Sequence, residues 1–404
     1  MASCGAYNWT RHEELQLLDG DQLQVQQLLL EDAHPTLYSR PASLFAAACA
    51  MVFTLVGVPG NLITVLALAR SPALRAHATT AFIISLCTSD LVFCALCLPP
   101  TAARFLLARW PLGPLACAVF PLLFYGNVAV SVLSMTAIAI NRYILIMWHG
   151  VYARLYSRPH ILLMVLLVWV AGFSLLVPPL LGVWGCLGLE PRSFSCTILK
   201  KDGASPKKIF FVVGFALPCT VMAAAYSCIY WRVRRSRAAL KAHGTSGSRL
   251  SLEAVRAAGN AVSKNPKEVG KPAAAGGVGG GGGFRRRDDR RLTRLMLTVF
   301  CSFLVCFLPL TLFNAMDNLG APPLLQLLSS VLAWASAVIN PFIYAATNRQ
   351  YRAAYRRLLC GCGADQPSAS APSPRTRLHP RGLSLGRATS DSGSATATTA
   401  GRVG

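Results

Sequence analysis

The sequence predicts an all-α membrane protein, a bundle of seven transmembrane helices with a short amphipathic eighth helix. Hydrophobic residues make up 53% of its 404 residues, charged residues only 14%, and the mean hydropathy is +0.46. A soluble protein needs about 25% charged residues to cover its surface. Most of the chain is therefore expected not to face water, and the same figures exclude a coiled coil, a collagen-like chain and a globally disordered chain.

Seven apolar runs supply the membrane spans, and each is near the roughly 20 residues that cross a bilayer. They cover residues 42–69, 79–102, 115–147, 160–183, 208–230, 292–317 and 322–346. Some of them exceed 20 residues, so we expect those helices to tilt or to extend beyond the lipid. Residues 1–41 are polar and lack the pattern of a cleaved signal peptide, so we expect the first span to direct its own insertion.

The basic residues predict an extracellular amino terminus. With that orientation, 30 of the 39 Lys and Arg residues lie in cytoplasmic segments, as the positive-inside rule requires. Asn8, in the sequence Asn-Trp-Thr, then lies outside the cell, where it can be glycosylated. The net charge of +23 is thus assigned to membrane topology and not to nucleic acid binding.

The seven-span domain is assigned to residues 42–347, and two segments of the chain, one of them a loop within that domain, lack the composition of a packed core. Residues 232–290 contain a run of glycines and are predicted to be a flexible cytoplasmic loop, and residues 361–404 are predicted to be a disordered tail. Between them, residues 348–360 combine arginines with tyrosines and leucines. This amphipathic pattern predicts a helix on the inner membrane surface.

Polar side chains within the spans are costly in lipid and mark candidate functional positions. Asp90 is a carboxylate deep in the second span, Asn127 and Ser131 share one helix face, and Ser336 and Asn340 share another. One carboxylate among neutral oxygens suits a sodium ion, because hard cations prefer oxygen ligands. The alternative is a hydrogen-bonded network that contains water and no ion.

Prolines and one arginine complete the pattern. Pro309 and Pro341 lie within the sixth and seventh spans, where each removes a helical hydrogen bond and makes a bend point. Arg142 ends the third span, where an arginine by itself commonly extends its side chain to the membrane surface.

In this order and spacing, the motifs resemble those of the rhodopsin-like (class A) G-protein-coupled receptors over residues 42–360. The family's marker positions fall on Asn61, Asp90, Cys117, Arg142, Trp169, Pro218, Tyr226, Pro309 and Pro341. Within the family, the stretches AFIISLCTSDLVFCALCLP, FYGNVAVSVLS, INRYILI and CFLPLTLFN are similar to the invertebrate moody and trapped-in-endoderm receptors.

The resemblance implies a receptor, and not an enzyme, that lies in the plasma membrane and passes an extracellular ligand signal to heterotrimeric G proteins. It also implies arrestin, a receptor kinase and membrane lipids as partners, and no cofactor apart from the suspected sodium ion. A transporter is the alternative class, but it predicts inverted repeats and several charges at the membrane midplane. The sequence shows neither.

Activation and G-protein coupling are assigned by the resemblance to a defined set of residues. Asn141 stands where the family has an acidic residue that restrains Arg142, and Phe307 replaces the family's tryptophan. We therefore expect appreciable signalling without ligand, unless Asp289 restrains Arg142 instead. The full set is Asn141, Arg142, Tyr143, Tyr226, Asp289, Phe307, Pro309, Asn340, Pro341 and Tyr344.

The implied ligand pocket is mostly apolar and contains no acid. Phe124 stands where amine receptors carry an aspartate and Trp334 where opsins carry the retinal lysine, so neither an amine nor retinal is expected. A lipid-like or hydrophobic ligand is favoured, and Arg104 could meet an anionic group on it; the alternative for Arg104 is that it extends to water. The alternative ligand is a small peptide that engages the acidic amino terminus and the second extracellular loop. The pocket residues are Arg104, Phe124, Tyr125, Val128, Phe210, Gly214, Leu310, Thr311, Asn314, Ser330 and Trp334.

Cysteines and hydroxyl residues supply the expected modifications. The resemblance implies a Cys117–Cys196 disulfide, while Cys4 and Cys186 form either a second bridge or free thiols. Cys360 and Cys362 follow the predicted surface helix and are candidates for palmitoylation, with plain thiols as the alternative. Seven Ser and Thr residues between 389 and 399 form a candidate phosphorylation cluster for arrestin, with an unmodified tail as the alternative.

Overall fold

The structure is a computed structural model that describes residues 36–201, 206, 209–210, 212–236, 238, 280–315 and 322–360. The side chains of residues 280–290 and 314–315 are not among those described, so the predictions for Asp289 and Asn314 stay open. Cys4, Asn8, Cys362 and the tail with its hydroxyl cluster lie outside the described residues.

Eight long helices and one β-hairpin form the described part of the chain. The helices are α1 (Arg40–Arg70), α2 (Ala78–Leu107), α3 (Gly113–Met147), α4 (Arg158–Ser174), α5 (Val212–Ser236), α6 (Gly280–Ala315), α7 (Pro323–Thr347) and α8 (Arg349–Cys360). Six of them are long and apolar enough to cross a membrane, and α4 makes a seventh candidate span with the short helix His149–Leu155, from which it is bent by 77°. The seven-helix bundle predicted from the sequence fits this arrangement.

The hairpin lies between α4 and α5. Its strands, β1 (Cys186–Glu190) and β2 (Ser195–Leu199), pair antiparallel with Leu189 opposite Cys196. A disulfide joins Cys196 to Cys117 near the start of α3, as the family resemblance implied. Cys186 is disulfide-bonded as well. We call this end of the bundle the hairpin end and the opposite end the Arg142 end.

Four helix boundaries differ from the sequence prediction by five residues or more. Helix α2 ends at Leu107 and not near residue 102, and α5 continues to Ser236, into the segment 232–290 predicted to be flexible. The fourth helix ends at Ser174 and not near residue 183, and the chain then forms the short helix Val177–Leu180 before the hairpin. Pro178 and Pro179 lack backbone N–H groups and so cannot extend the hydrogen-bond ladder of α4. Helix α6 begins at Gly280, within the segment 232–290 predicted to be flexible. The last part of that segment is therefore helical, in keeping with its arginines, which favour helix.

The bend at Pro341 is stabilised by a neighbouring helix. Because proline has no N–H group, the carbonyl of Ala337, one turn earlier, lacks its helical donor. Asn61 on α1 supplies a donor instead: its Nδ2 lies 2.8 Å from the Ala337 oxygen and 3.0 Å from the Gly57 oxygen. The asparagine thus satisfies the freed carbonyl and links α1 to α7.

Helices α3 and α4 approach closely through a glycine. A Cβ atom on Gly172 would lie 2.7 Å from a methyl carbon of Val130, so no larger residue fits without displacing a helix. Small residues at such contacts let helix backbones pack tightly in lipid. Nearby, the Trp169 indole donates a hydrogen bond to the Ser85 hydroxyl over 3.0 Å, which ties α4 to α2.

Two buried apolar clusters fill the bundle. The cluster at the hairpin end includes Phe93, Phe120 and Trp334. The larger cluster at the Arg142 end includes Phe82, Met222 and Tyr344. The cavity beside Asp90 is lined by residues of both clusters, among them Phe93 and Phe303. The fold therefore presents three regions to consider: a polar centre and the two ends.

Candidate functional site

Asp90 connects three helices at the polar centre. Its side chain is 4% exposed, and both carboxylate oxygens accept a hydrogen bond. The Ser131 hydroxyl on α3 donates to Oδ1 over 2.9 Å, and the Asn340 amide on α7 donates to Oδ2 over 2.8 Å. A buried carboxyl group requires such partners, so α2, α3 and α7 are linked through this one side chain.

A small cavity adjoins the carboxylate. It measures about 20 Å³, enough for one water-sized species. The cavity is lined by all five residues that the sequence predicted for a sodium site: Asp90, Asn127, Ser131, Ser336 and Asn340.

These residues offer a cation oxygen atoms and one compensating charge. The Asn127 amide and the Ser336 hydroxyl donate to carbonyls of their own helices, so their oxygen lone pairs remain as acceptors. Within the described ranges, no group of three or more His, Cys, Asp or Glu side chains could hold a metal. A sodium ion needs no such group, because neutral oxygens complete its shell.

An aromatic cluster forms the other wall of the cavity. Phe307, which replaces the family's tryptophan, lines the cavity together with Phe303, and their ring centroids are 4.5 Å apart. Phe215 on α5 lies 5.7 Å from Phe303 and 6.3 Å from Phe307. Sequence reasoning missed Phe215 and Phe303, although the spacing of four between Phe303 and Phe307 places both on one face of α6.

Arg142 is buried at the opposite end, where it is 2% exposed. Its guanidinium donates to the hydroxyl of Thr79 on α2. Thr79 in turn donates to Oδ1 of Asn141 over 2.6 Å, and the Asn141 amide lies 3.2 Å from the hydroxyl of Tyr152 in the short helix after α3. Thr79 and Tyr152 were not among the predicted residues. The arginine is thus restrained through a neutral threonine at a position where the neighbouring acid is missing.

The predicted tyrosines lie in the same region. Tyr226 stacks on Phe300 with ring centroids 5.8 Å apart, and Tyr344 stacks on Tyr351 of α8 over 5.7 Å. All three tyrosines belong to the buried cluster at the Arg142 end. Burial raises the pKa of Tyr351, and the Arg142 guanidinium opposes that rise, so the arginine and this phenol interact. Tyr143 packs against the cluster from its edge.

Helix α8 is attached to the bundle by polar contacts. Arg352 donates to the carbonyls of Ala345 and Ala346, both over 2.8 Å, and so satisfies the carboxyl end of α7. The Tyr355 hydroxyl lies 3.1 Å from that of Thr64 on α1. Burial raises the pKa of Tyr355 to about 12, so this phenol keeps its proton at neutral pH.

Arg104 is folded beneath the hairpin. Its side chain is only 8% exposed and donates from Nη1 to the backbone oxygen of Ser193 over 2.6 Å. The guanidinium carbon lies 4.1 Å from the ring centroid of Phe105. Burial raises the pKa of the neighbouring Tyr38, and the charge of Arg104 opposes that rise. Arg104 therefore does not extend to water, which was the alternative left open by the sequence.

Aromatic side chains line the neighbouring region. The Phe124 ring lies 5.1 Å from Phe93, 5.5 Å from Phe120 and 5.4 Å from Tyr125 between centroids. Tyr125 shares a hydrogen bond of 2.8 Å with Thr197 of β2. This side of the predicted pocket is thus tied directly to the hairpin.

The remaining pocket residues lie further along α3, at or just before the start of α5, and on α6 and α7. Trp334 is buried on α7, Val128 also lines the Asp90 cavity, and Phe210 contacts Trp184 with centroids 5.9 Å apart. The hydroxyls of Thr311 and Ser330 donate to carbonyls of their own helices, which leaves this side of the pocket predominantly apolar. Leu310 is half-buried, and a Cβ atom on Gly214 would meet only open space.

The chain matches the family model described as "7 transmembrane receptor (rhodopsin family)" over residues 60–344. It is 48% identical to Protein trapped in endoderm-1 of Drosophila melanogaster, over 81% of this chain and 80% of that protein. It is 35% identical to the G-protein coupled receptor moody of the same fly, over 83% of this chain and 54% of that protein, so it spans about half of moody. The similarity to this subgroup that the sequence stretches suggested is confirmed.

More distant proteins agree with this assignment. The chain is 28% identical to human G-protein coupled receptor 84, over 78% of this chain and 92% of that protein. The crystal structure of squid rhodopsin shares its fold with a TM-score of 0.61 and 20% identity, over 81% of this chain and 89% of the rhodopsin chain. The named relatives are receptors and not enzymes. The chain therefore belongs to the rhodopsin family of seven-transmembrane receptors.

Proposed function

We propose that this receptor binds a lipid-like or hydrophobic ligand with an anionic group and transmits its binding to a heterotrimeric G protein. The proposal places the chain in the plasma membrane with the amino terminus and the hairpin end outside. Family membership supports the receptor role. The buried guanidinium of Arg104 carries the proposal for the ligand.

The surroundings of Arg104 favour an anion. A buried charge is costly unless it is paired and hydrogen-bonded. Arg104 donates to one neutral carbonyl, and its Nε has no hydrogen-bond partner among the described residues. A carboxylate or phosphate would supply the missing charge and match the fork of the guanidinium. A cationic amine, by contrast, would be repelled here.

The apolar part of the ligand follows from the aromatic lining. Phe93, Phe120 and Trp334 belong to the apolar cluster at the hairpin end, and Phe124 packs against that cluster. An alkyl chain or ring would bury its surface there at about 25 cal/mol per Å². An amphipathic molecule fits both features, with its charged group at Arg104 and its apolar part against the rings.

A screen for G-protein activation tests this ligand class. Libraries of anionic lipids and of peptides are applied to the wild type, to Arg104→Ala and to Arg109→Ala, which removes an exposed arginine at the same end. We expect an active anionic lipid to lose about tenfold or more in potency with Arg104→Ala, since hydrogen bonds to charged groups contribute about 1.5–3 kcal/mol. The Arg109→Ala variant should respond as the wild type does. A potent peptide that is insensitive to Arg104, with every lipid silent, would overturn the proposal.

We infer that activation moves α6 outward about Pro309, away from α7, and releases Arg142 from Thr79. We call the resulting state the open arrangement and the state in the structure the closed arrangement. An agonist can shift this equilibrium only by binding the open arrangement more tightly than the closed one. The aromatic cluster of Phe215, Phe303 and Phe307 joins α5 to α6 next to the central cavity, which is a suitable relay. Arg142→Ala should impair nucleotide exchange on a purified G protein. Substrate uptake by vesicles containing the protein, without such exchange, would favour a transporter instead.

A sodium ion at Asp90 is proposed as an allosteric ligand. Its support is the cavity that joins Asp90, Ser131 and Asn340 with two further oxygen-bearing side chains. The ion would supply a positive charge to a carboxylate whose present partners are neutral. Because it would bridge α2, α3 and α7, it should stabilise the inactive arrangement.

The carboxyl-terminal modifications remain proposals. Cys360 is an exposed thiol at the end of α8, as palmitoylation at a membrane surface requires. Phosphorylation of the Ser and Thr cluster by a receptor kinase would add dense negative charge, which suits the basic surface of arrestin. Both modifications depend on a cytoplasmic Arg142 end.

A further inference from the structure

A second cavity lies at the Arg142 end, separate from the central site. It occupies about 220 Å³ between α6, α7 and α8. Four arginines line it, two from α6 (Arg291 and Arg294) and two from α8 (Arg349 and Arg352), together with Thr298 and Thr347. None of these residues belongs to the family motifs discussed above.

The cavity concentrates positive charge. The acidic residues whose side chains the structure describes are Asp90 and Glu190, and neither lines the cavity. Arg352 uses one nitrogen to hold the end of α7, and the other three arginines have exposed side chains. Four like charges around one space repel one another, so an anion within it would stabilise the arrangement.

Phosphate is the anion that best matches this lining. Arginine presents a planar fork of N–H donors that binds phosphate oxygens in pairs. The hydroxyls of Thr298 and Thr347 already donate to carbonyls of their own helices, so the guanidinium groups are the main donors. The cavity, at about 220 Å³, is much larger than the central one of about 20 Å³, so it can admit a group larger than a single water molecule.

The position of the cavity points to a membrane lipid as the source of the phosphate. Helix α8 is amphipathic and continues from the end of a membrane span, so the cavity lies at the level of the lipid headgroups. Apolar side chains are exposed on the same two spans, Leu297 on α6 and Phe342 on α7, where acyl chains would contact them. The cytoplasmic leaflet is also the one that carries anionic lipids.

We propose that the cavity formed by Arg291, Arg294, Arg349 and Arg352 binds a membrane lipid whose headgroup carries several phosphates. Such a lipid would connect α6 to α8. Because the activation proposed above moves α6 away from α7, the bound headgroup would favour the closed arrangement and lower signalling. The choice of a cytoplasmic lipid and this regulatory consequence rest on the orientation given in the proposed function, whereas the binding itself does not depend on G-protein coupling.

The test measures lipid binding to the full chain in nanodiscs of phosphatidylcholine. The probe is a fluorescent phosphatidylinositol bisphosphate, compared with phosphatidylserine at equal total charge and with soluble inositol trisphosphate. The cavity variant is Arg294→Gln with Arg349→Gln, which spares the contacts of Arg352. The matched control is Arg356→Gln with Arg357→Gln, which removes the same charge from exposed positions of α8 outside the cavity.

We expect the cavity variant to bind the probe about tenfold or more weakly, while the control variant changes binding much less. Arg294→Lys with Arg349→Lys keeps the charge and should lose less than the glutamine pair. Equal losses in the cavity and control variants would show general surface attraction and overturn the proposal. The proposal would also be overturned if phosphatidylserine, or soluble inositol trisphosphate, bound to the receptor as tightly as the phosphatidylinositol bisphosphate probe does.

The fold of each variant is checked by its thermal unfolding temperature, which should equal that of the wild type. Because the binding assay contains no G protein, a negative result would leave the proposed receptor function standing. A failure of G-protein activation would equally leave the lipid site standing.

Discussion

Replacing Thr79 by valine should raise signalling in the absence of ligand. Thr79 is 1% exposed, accepts a hydrogen bond from Arg142 and donates one to Asn141 over 2.6 Å. Valine keeps the shape of threonine but has no hydroxyl. A buried donor on Arg142 and an acceptor on Asn141 then lose their partner in the closed arrangement.

The magnitude follows from the cost of an unsatisfied buried group, about 1–3 kcal/mol and more when the group is charged. In the open arrangement, Arg142 is released from Thr79 and would not lose this bond. The closed arrangement alone is therefore destabilised. Since 1.4 kcal/mol is a factor of ten in an equilibrium constant, the active fraction should rise about 5- to 150-fold, up to saturation.

The assay is nucleotide exchange on a purified G protein by the full-length receptor in nanodiscs without ligand. Thr101→Val is the matched control, because Thr101 is equally buried but donates only to the Cys97 carbonyl of its own helix, over 2.7 Å. We expect basal exchange to rise with Thr79→Val and to stay at the wild-type level with Thr101→Val. Equal changes in the two variants, or no change in either, would refute the role assigned to the Thr79 hydroxyl.

Three further predictions concern the centre, the Arg142 end and the tail. Agonist affinity should fall as sodium concentration rises, and Asp90→Asn should abolish this dependence in radioligand titrations; a variant that keeps it would place the ion elsewhere. Asn141→Asp should lower basal nucleotide exchange, because a carboxylate beside Arg142 adds an ionic partner to the closed arrangement. If Asn141→Asp has little effect and Asp289→Ala raises basal exchange sharply, then Asp289 is the residue that restrains Arg142. Truncation after Ala364 should reduce arrestin recruitment after agonist treatment, and unchanged desensitisation would contradict the role of the phosphorylation cluster.

Hydropathy predicted the membrane spans well, because lipid accepts backbone polar groups only within helices and so imposes a length on each apolar run. The predicted first span, 42–69, differs by two residues or fewer at each end from α1 (Arg40–Arg70). Two of the exceptions have local causes. Tandem prolines end α4 early, and α6 continues beyond the membrane, where the apolar pattern carries no information.

The central site was also accessible from sequence. Asp90, Ser131 and Asn340 are polar residues within apolar runs, and the cost of burying them implies that they meet in the folded bundle. The structure brings all five predicted sodium residues to one cavity. Their side-chain types and the helical spacing within each span were enough to name the candidates, but not to show how they meet across helices.

Tertiary structure alone decided which groups become partners across helices. No spacing in the sequence relates Thr79 to Arg142, Asn61 to the carbonyl of Ala337, or Arg294 to Arg349, since these residues lie on different helices far apart in the chain. The sequence by itself determined which segments cross the membrane and which polar side chains are buried there, because both follow from transfer out of water. The pairing of those side chains depends on helix rotation and depth, which packing of the whole bundle sets.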